Sequence, residues 1–179
     1  MKAKIIALFF LFFSWSVIAC DDVKLQSSLK SNGYELIDAF KSERFKEGSS
    51  IYFYKSITDE HPDVNASFMP DRCFSDKNFI FDVFSFDGSV ANVESVFWGK
   101  GKFKSNLFII VSWIYNLDGI NTVGKYYSVY AYDFIDGNIK KNELVTSYFD
   151  EGQDGLVDGK TVKYAFKKAS DVWGYLKEK

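Results

Sequence analysis

The sequence predicts an α+β domain, an antiparallel β-meander of about five or six strands with a C-terminal helix packed on it. Three observations carry this. Residues 107–114 (LFIIVSWI) and 126–134 (YYSVYAYDF) are apolar or aromatic runs of strand length around a polar, Gly-containing link at 116–124, the pattern of a long β-hairpin. Aromatic residues make up 19% of the chain, and flat rings suit a pleated, half-buried surface better than a helix. In the last segment Phe166, Ala169, Val172, Trp173 and Leu176 recur at three- and four-residue spacing, which gives one apolar stripe on a helix.

The chain opens with a targeting segment. Lys2 and Lys4 form a positive n-region, the stretch from Ile5 to Phe13 is an apolar h-region, and Val17-Ile18-Ala19 precedes the cleavage point. The apolar stretch is short for a membrane span and runs into Asp21 and Asp22. Residues 1–19 therefore read as a signal peptide and residues 20–179 as one exported domain.

Two readings stand side by side for Cys20. Val17-Ile18-Ala19-Cys20 resembles a bacterial lipobox, which would acylate Cys20; Asp21 then looks like a signal for retention at the inner membrane. Alternatively, cleavage after Ala19 leaves Cys20 to pair with Cys73, the second of two cysteines, since exported proteins usually pair an even count. Such a bridge would contribute on the order of 4 kcal/mol.

Residues 23–31 suit a short amphipathic helix ending at Asn32-Gly33. Residues 34–45 fit either a helical face or a strand. Residues 51–57 (IYFYKSI) read as a strand. Residues 58–72 hold both prolines and the single His, and read as a long loop. Residues 79–86 (FIFDVFSF) are apolar on both faces, which suits a central strand. Asp87-Gly88 turns the chain into a strand at 90–98, and residues 99–102 turn it into the hairpin.

After Asp136-Gly137-Asn138, residues 139–149 read as a further strand and 150–159 as a Gly- and Asp-rich loop. The helix spans 162–177. Short turns between consecutive strands imply antiparallel neighbours, with 79–86, 107–114 and 126–134 side by side in one sheet.

A formal charge of −2 gives no reason to expect a nucleic-acid partner. His61 is alone, so triad and zinc chemistry lack their usual companions, and a solvated loop residue is the simpler reading. The run from Asp150 to Asp158 resembles a D-x-D-x-D-G calcium loop, with Asp150, Asp154 and Asp158 as candidate ligands. Gly152 replaces the central acidic ligand and Thr161 stands where an EF-hand has Glu.

Trp98, Trp113, Tyr115, Tyr126, Tyr127, Tyr130 and Tyr132 could form a platform for sugar rings or a protein. One face of residues 126–134 must be core, and the tyrosine-rich face could lie beneath the C-terminal helix. Turn carboxylates at Asp87, Asp118, Asp133, Asp136, Asp150, Asp154 and Asp158 could supply an acid–base pair, although turns select Asp for local hydrogen bonding in any case. Clustered acidic loops could equally plug a basic groove in a partner.

Ile110-Val111-Ser112-Trp113, the Asn- and Gly-containing link, Tyr127-Ser128-Val129-Tyr130-Ala131-Tyr132, Asp154-Gly155, and Lys167, Ala169 and Leu176 together resemble the small exported immunity proteins of Gram-negative bacteria. The resemblance implies a periplasmic protein without enzymatic activity that binds and neutralises a secreted effector. Candidate partner-binding residues are Asp118, Asp136, Asp150, Asp154, Trp98 and Tyr115. An envelope-associated glycan-binding module and a carboxylate-based hydrolase are the alternatives.

Overall fold

The computed structural model describes residues 22–70, 79–86 and 88–179. Residues 1–19, Cys20, Cys73 and Asp87 lie outside the described residues, and with them the readings on export, acylation and the disulfide. The class is α+β, with two antiparallel sheets and a C-terminal helix.

The first sheet has the order β1-β2-β3-β4: β1 (Tyr34–Lys41), β2 (Ser50–Ser56), β3 (Val64–Met69) and β4 (Phe79–Phe84). In the second, β5 (Asn92–Trp98), β6 (Leu107–Leu117), β7 (Thr122–Ile135), β9 (Gly152–Val157) and β10 (Lys160–Val162) lie in the order β10-β9-β7-β6-β5. β8 (Asn138–Lys141) pairs with the C-terminal part of β7. The helices are α1 (Asp22–Ser31), α2 (Glu143–Thr146) and α3 (Ala169–Leu176).

The hairpin of β6 and β7 forms as expected and is the middle layer of the molecule. Toward the first sheet it presents Leu107, Ile109, Val111, Trp113 and Tyr132, which pack on Ile51, Phe53, Val64, Ala66, Phe68 and Phe84. On its other face Phe108, Ile110, Tyr127, Val129 and Ala131 pack under Val145, Phe149, Tyr164, Val172 and Leu176. The tyrosine-rich face of β7 thus meets the first sheet rather than the C-terminal helix. Two buried faces explain the missing alternation in residues 107–113, every one of which is buried. A polar residue on either face would lose its water. Leu25 and Leu29 of α1 cover the outer face of the first sheet at Met69, Tyr52 and Tyr54.

Residues 79–86 do not join the hairpin's sheet. β4 is an edge strand paired with β3, and it meets the hairpin face to face. Phe81 stands edge-on to Tyr132 at 5.2 Å and Phe84 stacks on Tyr130 at 5.4 Å. Its apolar character comes from this sheet-to-sheet packing, while Phe79, Ile80 and Val83 stay exposed.

Residues 58–72 contain β3, not only a loop. Val64, Ala66 and Phe68 alternate into the core, and Pro62 and Pro70 merely flank them. Residues 34–41 resolve as strand β1. Residues 139–149 are mostly not a strand: after β8, Asn142 caps α2 by accepting from the Val145 N–H at 2.9 Å, satisfying a helix-end donor.

Within the expected loop at 150–159, residues Gly152–Val157 form β9. The last helix begins at Ala169, because Val162 ends β10; Tyr164 and Phe166 still pack on Phe149 and Tyr127 from irregular backbone.

Candidate functional site

Past Trp113 and Tyr126 the hairpin leaves the sandwich. The ladder continues to Leu117↔Thr122, so the link is five residues shorter than the polar stretch suggests and only 118–121 turn. Asn121 takes a left-handed φ of 51°, which Asn tolerates through its short polar side chain. Gly159 N–H donates to Asn121 O at 3.0 Å, and Asp158 N–H donates to Thr122 Oγ1 at 2.9 Å. The β9–β10 turn therefore braces the hairpin end.

This end carries exposed apolar side chains: Ile114 (57%), Leu117 (54%), Ile120 (55%), Val123 (42%) and, on β9, Leu156 (37%). Asn116 pairs with Val123, and Val123 with Leu156. Cross-strand partners share a face and alternate residues return to it, so Ile114, Val123 and Leu156 share one. Leu117 points to the opposite face and Ile120 lies in the turn. Gly124 and Gly155 are register partners, and a Cβ on either would stand 2.3 Å from backbone carbonyl oxygen of the other strand. Their lack of side chains brings β9 close to β7.

A row of alternating charge borders the apolar face. Lys125 Nζ donates to Glu94 at 2.6 Å, Ser112 Oγ donates to the same carboxylate at 2.6 Å, and Lys167 Nζ donates to Asp154 at 2.8 Å. Lys125 and Asp154 are register partners. Burial works against the charge of Glu94, but the Lys125 and Ser112 hydrogen bonds outweigh it and hold the carboxyl below its usual range. The Lys167 hydrogen bond does the same for Asp154 against burial, helped by the Tyr164 N–H. Lys125 and Lys167 are raised, each chiefly by its carboxylate partner.

Carboxyls depressed in the fold stabilise it above their ordinary pKa, about 4, and lose that contribution as pH falls through the folded value. The raised lysines act in the other direction, losing theirs only as pH rises through their folded values, above about 10.4. Below about pH 4 the amides of β9 should therefore lose protection relative to pH 6, after correction for intrinsic exchange. Glu94→Gln with Asp154→Asn should flatten that dependence. Equal pH dependence in the variant would contradict the role of these two pairs, each worth roughly 0.2–1 kcal/mol.

Tyr115, Asp118 and Asp154, three of the residues expected to bind a partner, gather here. The Tyr115 hydroxyl is buried with no hydrogen-bond partner among the described residues, and burial raises its pKa, with Asp154 adding to the effect. Asp118 opens the link; its side chain lies outside the described residues. Asp150 is exposed just before β9, beside Glu151, which accepts from Tyr126 at 2.8 Å and Ser128 at 3.0 Å. Burial first, then that Glu151 contact, pushes Tyr126 up to about 12.

Trp98 and Asp136 are not part of this cluster. Trp98 ends β5 opposite Leu107, and Asp136 follows β7 with φ 54°, at the far end of the sheet. Trp98 packs against Phe45 at 4.7 Å with the Arg44 guanidinium 5.2 Å from its ring centre.

Of the residues read as calcium ligands, Asp150 precedes β9, Asp154 lies within it and Asp158 stands in the turn after it. The Asp154 carboxylate is taken by the Lys167 ammonium and the Tyr164 N–H. Among the described residues no group of three or more His, Cys, Asp or Glu side chains is arranged to hold a metal ion. His61 is exposed. Asp133 is occupied by Asn106 and Asn142, which donate to it at 2.5 and 2.7 Å. Trp113, Tyr127 and Tyr132 are buried in the two cores, so they form no surface platform.

Sequence reasoning missed Ile114, Leu117, Ile120, Val123 and Leu156. A signal for Leu117, Ile120 and Val123 was present in the polar link, where NLDGINTVG keeps Leu, Ile and Val that a solvated turn does not need. Compared with known proteins, the chain matches no family model, no curated protein and no solved structure.

Proposed function

We propose that this chain is an exported bacterial protein that binds and neutralises another protein in the periplasm, an inhibitor of the immunity type, and that it docks its partner on the β6–β7 hairpin end. The observation that carries the proposal is the set of exposed apolar side chains at the braced hairpin end, with Ile114, Val123 and Leu156 on one face, Leu117 on the other and Ile120 in the turn. Clustered exposed apolar residues mark interaction surfaces, whereas scattered ones do not. Around them Glu94–Lys125 and Asp154–Lys167 supply the polar rim that such interfaces carry. The preceding targeting segment and the likeness to exported immunity proteins supply the compartment and the kind of partner.

The test is affinity capture of the mature chain from envelope extracts mixed with proteins secreted by neighbouring cells, beside a variant carrying Ile114→Asp, Leu117→Asp and Ile120→Asp. These side chains are exposed, so the variant should melt within a few degrees of the parent. The parent should retain one specific protein and the variant at least tenfold less, since central apolar contacts dominate binding energy. Equal retention by both, or no specific protein on the parent, would overturn the proposal.

A further inference from the structure

The opposite end of the second sheet holds a basic cleft in a chain whose net charge is −2. A 3-10 turn over Gly101–Phe103 and the exit of α3 bring together Lys100, Lys102, Lys177 and Lys179 around a cavity of about 540 Å³ that Trp173 and Leu176 also line.

Lys100, Lys102 and Lys179 sit over aromatic rings rather than beside side-chain acids. Lys100 Nζ sits 3.5 Å above the centre of the Trp173 ring. That ring is itself fixed, donating from Nε1 to Trp98 O at 3.0 Å and standing edge-on to Phe97. Lys179 Nζ lies 5.0 Å from the Tyr175 ring centre, and Lys102 Nζ donates to the Lys179 main-chain oxygen. The described side-chain ion pairs fall on Lys55, Lys125, Lys141 and Lys167; among the described residues no side-chain carboxylate pairs with the cleft lysines. Glu178, between two of the lysines in sequence, makes no ion pair with them.

Ammonium groups gathered in excess of counter-charge repel one another, and a cleft lined mainly by one sign of charge concentrates the opposite ion. Lysine is a point-charge binder of phosphate, and the volume lies within the range of small-ligand sites. From these we infer that the cleft binds a phosphate group, carried by a small soluble molecule or by the headgroup of an anionic phospholipid. The inference stands apart from the hairpin surface, which lies at the other end of the sheet.

The experiment uses the mature chain at low salt and two probes, inorganic pyrophosphate and vesicles of phosphatidylglycerol, with phosphatidylcholine vesicles as the uncharged-surface control. Tryptophan fluorescence and calorimetry read the first, and co-sedimentation the second. Saturable pyrophosphate binding with Kd below about 1 mM, weakening as salt rises, is expected. Lys100→Glu with Lys177→Glu should weaken it at least tenfold. Lys24→Glu with Lys30→Glu on α1 makes the same change in net charge and should leave it within twofold. Binding to pyrophosphate alone assigns a soluble ligand; binding to phosphatidylglycerol but not phosphatidylcholine vesicles assigns a headgroup. Binding of neither probe, equal loss in both variants, or citrate bound as tightly as pyrophosphate would each overturn the inference.

Discussion

Tyr132→Ala is expected to lower the free energy of unfolding by about 3–5 kcal/mol, the range for removing a large buried ring. Tyr132 is fully buried between the two sheets. Its ring takes the edge of Phe81, and its hydroxyl donates to Asp82 Oδ2, which is also 2.9 Å from Lys141 Nζ. One side chain therefore joins β7, β4 and β8.

Burial first, then the Asp82 carboxylate, raises its pKa well above the ordinary tyrosine value, so the neutral hydroxyl persists through the alkaline range. Tyr132→Phe keeps the ring and leaves Asp82 its lysine, so it should cost only about 1–2 kcal/mol. Urea titration reads both. A loss under about 1 kcal/mol for Tyr132→Ala would mean that the sheets are not packed through this residue.

Gly155→Val should be the second most damaging change, at roughly 2–5 kcal/mol from combined backbone strain and overpacking. Gly155 has φ 146°, and an added Cβ would lie 2.3 Å from Val123 O and 2.8 Å from Gly124 Cα. Those are backbone atoms of the neighbouring strand and cannot rotate away. The strands must part, taking with them the alignment of Asp154 with Lys125 and the Glu151 contacts to Tyr126 and Ser128. Hydrogen exchange should show β9 deprotected and the 107–113 segment still slow. Full protection of β9 in the variant would show that the close Gly124–Gly155 approach does not govern this pairing.

The hairpin was legible in the sequence because its near half is buried on both faces, and LFIIVSW has no solvent side to record. The C-terminal stripe was legible for a related reason: Val172 and Leu176 pack into the second core and their spacing registers it, although the helix itself is shorter than the stripe.

β3 was hidden because its outward positions are Asn65 and Ser67 and a proline stands near each end. β9 was hidden because its residues are chosen for contacts across strands. Gly152 lies under the Tyr164 ring, Gly155 against β7, and Asp154 opposite Lys125; in sequence these look like a turn. The division into two sheets left no local mark, since β4 packs by its face on a strand nearly fifty residues away.

At the site, Tyr115, Asp118 and Asp154 were legible as polar or aromatic residues near turns. Ile114, Leu117 and Val123 were not, because alternation predicts that apolar strand residues face a core. Only the point where the hairpin outruns the sandwich shows that they do not.

Photo-crosslinking in the producing cell tests the hairpin as a docking surface most directly. A benzophenone amino acid is placed at Ile114 or Ile120, and for comparison at Leu144, which is 68% exposed on α2. A discrete adduct with one other protein at positions 114 and 120, and none at 144, is the predicted result. Adducts of equal yield at all three positions, or none at the hairpin in the presence of a partner captured by other means, would contradict the assignment.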